Sequence, residues 1–233
     1  MRQEATIEPL HLADVTLPDF HPLAGQPCTV FAFLVRHPDG VMLVDTGVGG
    51  GHDGIDKLYR PVRTPLADAL ASAGLRPSDV AAVINTHLHF DHCGENRLLP
   101  GAPVYVQRAE YEAAQEARYT VREWVDFPRA NYVLLDGEAE LLPGVLVTPT
   151  PGHTPGHQSV VVGAGDGLAV IAGQAAYTAR EFAEGAPDES NAGWDLDQYA
   201  ASLRRLRELR PERAYFSHDA EVWEPSQNEG RSS

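Results

Sequence analysis

Cysteine, methionine and lysine are almost missing from this chain: its 233 residues include two Cys, two Met and one lysine, Lys57. Two cysteines, Cys28 and Cys93, exclude a disulfide framework. The opening MRQEATIEPLHL has no apolar core of a leader, so a cytoplasmic protein is the expectation. No run approaches the roughly 18 apolar residues that a membrane-crossing helix needs. Positive charge is scarce as well, with 33 acidic against 18 basic residues and a formal net charge of −15. Such a field repels phosphate backbones and anionic membranes, which excludes both as expected partners. The one basic run, Arg204, Arg205, Arg207, Arg210 and Arg213, reads as the solvated face of a helix. There is no internal repeat, and the length suits a single domain over residues 1–233.

Apolar runs at Thr29–Val35 and Val41–Asp45, separated by HPDG, predict a hairpin. The Gly-rich GVGGGHDGIDKLYRP that follows reads as a surface loop. It lacks the GK[ST] ending of a phosphate-binding loop. Thr64-Pro65 predicts a helix start and Gly74 its stop. Further strands are expected at Val80–Ile84, Val104–Gln107, Val145–Thr148, Ser159–Gly163, Leu168–Ala172 and Ala214–Ser217, with a helix over Arg108–Arg118. Asp195, with Gln198 three residues on, predicts a capping box. The helix it opens places Leu196, Tyr199, Leu203, Leu206 and Leu209 on one face. Strands and helices alternate in two halves, which predicts sheets packed together with helices outside, an α/β layered fold.

The histidines are clustered. THLHFDHCG carries His87, His89 and His92, with Asp91 beside the last, just past the end of a predicted buried strand. In an extended segment His87 and His89 point the same way and can grip one ion. Asp91 and His92 follow in a turn and can reach another. TPGHTPGHQS adds His153 and His157, and FSHD adds His218. These sort into His87, His89 and His153 for one ion and Asp91, His92 and His218 for a second. Three protein ligands leave an open position, as catalytic sites require. Imidazole and carboxylate donors suit zinc and its first-row relatives, one or two ions per chain. His157 is expected to bond within its own loop, and Cys93 to be a small buried side chain.

THLHFDHCG, GHTPGH, the Tyr-Thr at 177–178 and the late SHD together resemble the metallo-β-lactamase superfamily. Within it they are most similar to the N-acyl homoserine lactonases. The likeness runs from about Thr29 to Asp219 and takes in LVDTG at 43–47 and AYT at 176–178. It implies an αββα sandwich of two mixed sheets, with two divalent metals at one edge between them. It also implies that Tyr177 turns its hydroxyl to the substrate carbonyl and that Asp45 orients the histidine loop. Where the family has a bridging aspartate, three residues before the tyrosine, this chain has Gln174. Neither Asp166 nor Glu181 obviously replaces it. An amide offers one neutral oxygen in place of two anionic ones, so the second metal is expected to bind weakly or not at all.

The expected function is therefore metal-dependent hydrolysis of a small-molecule lactone or ester through an activated water. Asp91 and Tyr177 are the expected catalytic groups, Asp91 for proton transfer and Tyr177 for the oxyanion. Gln174 leaves two alternatives: a cyclase, lyase or isomerase step on the same scaffold, or a relative that binds ligand without turnover. Trp124 and Phe127, in a stretch read as a loop with exposed aromatics, and Phe182 are the expected pocket residues. A monomer or homodimer is expected.

Overall fold

Side chains on Pro27–His37 alternate between two environments, as a two-residue repeat dictates. Phe33 and Val35 face one apolar cluster, Ala32 and Leu34 another. A strand with both faces buried must lie in a sheet covered on both sides, and the rest of the chain supplies the covers. The computed structural model describes residues 5–165, 167–188 and 193–225.

The first sheet holds β1 (Thr6–Thr16), β2 (Pro27–His37), β3 (Gly40–Val44), β4 (Val62–Arg63), β5 (Val80–Ile84), β6 (Pro103–Gln107) and β7 (Asn131–Leu135), in the order β4-β1-β2-β3-β5-β6-β7. The second holds β8 (Ala139–Leu142), β9 (Val145–Pro149), β10 (Gln158–Ala164), β11 (Gly167–Gly173), β12 (Arg213–Phe216) and β13 (Asp219–Trp223), in the order β13-β12-β11-β10-β9-β8. Both are mixed: β3, β5, β6 and β7 run parallel, as do β11 and β12, and the other pairs are antiparallel.

The helices are α1 (Asp53–Tyr59), α2 (Leu66–Ser72), α3 (Arg108–Ala113), α4 (Arg122–Val125), α5 (Ala179–Glu184) and α6 (Leu196–Glu208). Between the sheets Phe33, Val35, Met42, Val44 and Ile84 meet Val145, Val147, Val160, Val162 and Ile171. Leu66 and Leu70 of α2 cover the outer face of the first sheet. Phe182 of α5 and Leu203 and Leu206 of α6 cover that of the second. This is the αββα sandwich. No helix among the described residues is long and apolar enough to cross a membrane.

Several local expectations are corrected. The Gly-rich segment contains α1, whose first turn is capped by His52 Nδ1 accepting from Ile55 N at 3.1 Å. α2 has Pro65 at its N-cap, and Glu95 Oε2 accepts from Leu66 N at 2.6 Å in place of a cap by Thr64. α3 stops at Ala113, short of Arg118. Trp124, Phe127 and Phe182, the first two expected on a loop with exposed aromatics, are 2 %, 8 % and 0 % exposed. α4 turns Trp124 into a cluster with Val121, Ile55 and Val48, and Phe182 packs on Phe216 and Trp223. Burying such large rings removes more apolar area from water than a loop could keep exposed at no cost.

Candidate metal centre

Every candidate ligand sits just beyond the end of a strand at one edge of the sandwich. β5 ends at Ile84 and delivers His87, His89, Asp91 and His92; the β9–β10 connection carries His153; β11 leads to Gln174 and Tyr177; β12 leads to His218. Backbone bonds join the two sheets here, from Gln158 N to Thr86 O at 2.8 Å and from Phe31 N to Ser217 O at 2.8 Å.

Three imidazole nitrogens converge. His89 Nδ1 lies 3.0 Å from His87 Nε2 and 3.1 Å from His153 Nε2. Burial holds His87 and His153 well below the ordinary imidazole range, with neighbouring imidazoles adding to it, and takes His89 down to about 4. Neutral rings have lone pairs to give. One proton cannot satisfy three facing nitrogens, whereas one cation can. Thr86 fixes the His87 tautomer. Its hydroxyl donates to Asp45 Oδ2 at 2.7 Å, so it accepts from His87 Nδ1 at 3.1 Å, leaving the Nε2 lone pair facing the cluster.

The second group lies beside the first, with the His87 and His92 ring centres 4.0 Å apart. Asp91 Oδ2 is 3.8 Å from Nε2 of both His92 and His218. Each histidine is held by its other nitrogen, which is the usual device for orienting a ligand. His92 Nδ1 donates to Asp45 Oδ2 at 2.8 Å and His218 Nδ1 to Thr29 O at 2.7 Å. His92 Nε2 is buried without a hydrogen-bond partner. Such an orphan is costly unless something outside the protein meets it. The ligand atoms of each triad lie within 4.8 Å of one another, and both donor sets therefore fit a divalent metal.

Asp45 has φ 61°, a left-handed conformation that an Asp tolerates better than most residues. Besides His92 and the Thr86 hydroxyl, it accepts from Thr86 N at 2.7 Å. Asn85 and Asn96 complete this wholly buried network, Asn96 Nδ2 donating to Asn85 Oδ1 at 2.7 Å.

Gln174 is buried, its Nε2 donates to the Tyr177 hydroxyl, and its Oε1 has no partner. Tyr177 stacks on His218 at 5.1 Å and stands 5.9 Å from His153, so it touches a member of each triad. Burial, and then the charge of Asp91, push its hydroxyl well above the ordinary phenol range and keep it protonated. Among the described residues no neighbour replaces an acid at 174. Glu181 turns away to accept from Tyr177 N at 2.6 Å and Tyr199 Oη at 2.9 Å, and Asp166 lies outside the described residues. His157 contributes to the loop, its Nδ1 3.1 Å from Thr150 O and its Nε2 accepting from Gln174 N at 2.9 Å. Cys93 is fully buried and contacts Leu88 O, and burial pushes its thiol up.

Sequence reasoning missed Glu110, Tyr119 and Cys28. Cys28 Sγ is 3.3 Å from His218 Nδ1, and the Tyr119 ring lies 4.9 Å from that of His89. Glu110 is fully buried in α3 between the two histidine loops. An acid in the first turn of a short helix carries no mark of burial in a sequence. Tyr59 and Phe90 pair at 4.3 Å, with Phe90 next to Asp91 in the chain.

The model of the metallo-beta-lactamase superfamily matches residues 25–218. An N-acyl homoserine lactonase of Bacillus cereus is 34% identical over 208 residues, covering 82% of each chain. Among solved structures, a quorum-quenching N-acyl homoserine lactone hydrolase aligns with a TM-score of 0.80 at 30% identity, over 94% of both chains. A second such hydrolase, with the product N-hexanoyl-L-homoserine at its catalytic metal centre, aligns with a TM-score of 0.77 at 29% identity, over 94% of this chain and 95% of that one.

Proposed function

Because the chain belongs to the metallo-beta-lactamase superfamily, we propose that it is a metal-dependent hydrolase that opens a lactone, with acyl homoserine lactones as the leading substrate class. The observation that carries this reading is the convergence of three neutral imidazole nitrogens, from His87, His89 and His153, beside a second set of Asp91, His92 and His218. Zinc held there would polarise an ester carbonyl and bring the pKa of a bound water down to about 7. The residues do the rest. The Tyr177 hydroxyl, with its proton free, donates to the carbonyl oxygen as charge develops on it. Asp91 carries the proton toward the leaving alkoxide.

Gln174 makes the two metal positions unequal. Its neutral amide cannot offset the repulsion between two dications, so the Asp91/His92/His218 set holds its ion weakly. The free thiols of Cys28 and Cys93 support a reducing compartment, the cytoplasm, and the whole chain acts as one domain, as a monomer or homodimer. A second reading, a cyclase, lyase or isomerase on the same scaffold, is favoured by one observation: position 174 presents a neutral amide, its Oε1 without a partner, where the resemblance leads one to expect a bridging acid.

Metal content by plasma mass spectrometry, with hydrolysis of an N-acyl homoserine lactone, tests both readings on the wild type and Gln174→Asp. One tightly held metal rising to two, with activity rising too, is expected. Two metals in both proteins, with activity lost in Q174D, would overturn the lactonase reading in favour of a chemistry built around the glutamine.

A further inference from the structure

Glu110 is a buried carboxylate that the proposed reaction does not use. Its Oε1 accepts from Leu88 N at 2.8 Å and from the Tyr119 hydroxyl. Its Oε2 accepts from Thr154 Oγ1 at 2.6 Å and from Gly156 N at 3.3 Å. Four donors from three separate segments thus fill the acceptor capacity of one ionised carboxylate.

The donors are placed with respect to the histidines. Leu88 lies between His87 and His89 in the chain, and Thr154 directly follows His153. Tyr119, held by its hydroxyl, lays its ring at 4.9 Å from the ring of His89. The 152–157 loop also rests on the α3 backbone itself, since a Cβ on Gly156 would come within 2.1 Å of Glu110 N. The three histidines come from two loops that are far apart in sequence. Their nitrogens can converge only if the gap between those loops is fixed, and Glu110 spans that gap.

We propose that Glu110 is a positioning residue: it sets the separation of the 87–89 segment from the 152–157 loop and so builds the His87/His89/His153 site. The inference rests on the metal reading above. An uncharged isostere cannot do the same. Glutamine has one acceptor oxygen, and its NH₂ would confront either Leu88 N–H or Gly156 N–H, so one of the two loops is released. Residues that orient metal ligands change metal affinity about 10- to 100-fold when substituted.

The test uses wild type, Glu110→Gln and Thr154→Val. Zinc affinity is measured by competition with a chromophoric chelator, cobalt(II) reports ligand geometry through its visible spectrum, and the melting temperature is read on metal-free protein. The expected result is zinc held about tenfold or more weakly in E110Q and less severely so in T154V, with an altered cobalt spectrum in E110Q. Unchanged affinity and spectrum in both variants, with only the metal-free melting temperature lowered, would overturn the proposal and leave Glu110 a folding role. If E110Q does not fold, T154V decides, and wild-type affinity in it counts against the proposal. A wild type that holds no zinc overturns the metal reading and this inference together. Zinc-loaded wild type with unaltered variants overturns this one alone.

Discussion

A hydroxyl that accepts from a neighbouring amide keeps its own proton to give, and Tyr177 is in that position through Gln174 Nε2. Tyr177→Phe removes the donor and keeps the ring that stacks on His218. Its kcat for lactone hydrolysis should fall about 100-fold, the scale of one lost oxyanion donor, while KM and zinc content stay near wild type. A proportionate loss of zinc would show that Tyr177 supports the site and not the reaction. Asp45 is the residue whose change should be felt through another. It holds the His92 tautomer and also meets Thr86 N, so Asp45→Ala strands buried donors at about 1–3 kcal/mol each. The expected outcome is a lower melting temperature, and in the Gln174→Asp background a return from two metals to one. At this scale the candidate ligands were legible because HLHFDH is dense in donor groups. Glu110 was not, because what marks it is three segments meeting on one carboxylate, and a linear sequence records no such meeting.

Elements were legible where one physical signal dominated. β5 reads as VAAVI because parallel neighbours and two covered faces demand a continuous apolar run. β1 went unread because the register shifts between His11 and Ala13. That bulge puts Leu10, Leu12, Ala13 and Val15 in the core and breaks the two-residue alternation on which a reader depends. In α6 the cap was read correctly but the reciprocal box was not. Asp195 Oδ1 accepts from Gln198 N at 3.0 Å, yet the Gln198 amide donates to Asp195 Oδ2 at 2.9 Å and Asp195 N donates to Gly152 O at 2.8 Å. The helix start is thus tied to the residue before His153. Asp195→Ala should lower the urea midpoint at unchanged m-value. An Asp195→Ala chain as stable as wild type would mean that the Gly152 contact alone holds this end. Gly152→Ala is the harsher change at the same place. Its φ is +138°, and a Cβ would meet the Tyr199 backbone at 2.3 Å, so zinc binding should be lost even in whatever fraction folds.

Over the whole molecule the buried histidines set the pH range in which the metal-free chain is stable. His87 and His153 are held well below 6.5, His89 at about 4 and His157 at about 3, in each case first by burial. Below pH 6.5 the unfolded chain takes up protons that these folded rings refuse. Their contribution is fully present above that pH and is lost as pH falls toward the folded values. For fully buried His157 alone the loss between pH 6.5 and 5 is about 2 kcal/mol, a sizeable part of a typical net stability of about 5–15 kcal/mol. Glu110 and Glu181 act in the opposite sense. Burial raises both above 4.5, so they favour the folded state at low pH and lose that effect as pH rises through the raised values. Burial raises Glu95 as well, and the four histidines outnumber these three acids. On the alkaline side stands His218, raised to about 9 by Cys28 and Asp91 against the effect of burial. Its contribution is complete below 6.5 and is lost through pH 9. Urea unfolding of chelator-treated protein at pH 5, 7 and 9 should therefore give a midpoint that drops far more from 7 to 5 than from 7 to 9. Zinc competes with protons for the same nitrogens, so zinc-loaded protein should gain least at pH 5. A midpoint flat between pH 7 and 5 would mean that the histidine cluster opens to water before the chain unfolds, and that its geometry is kept by the metal instead of by the fold.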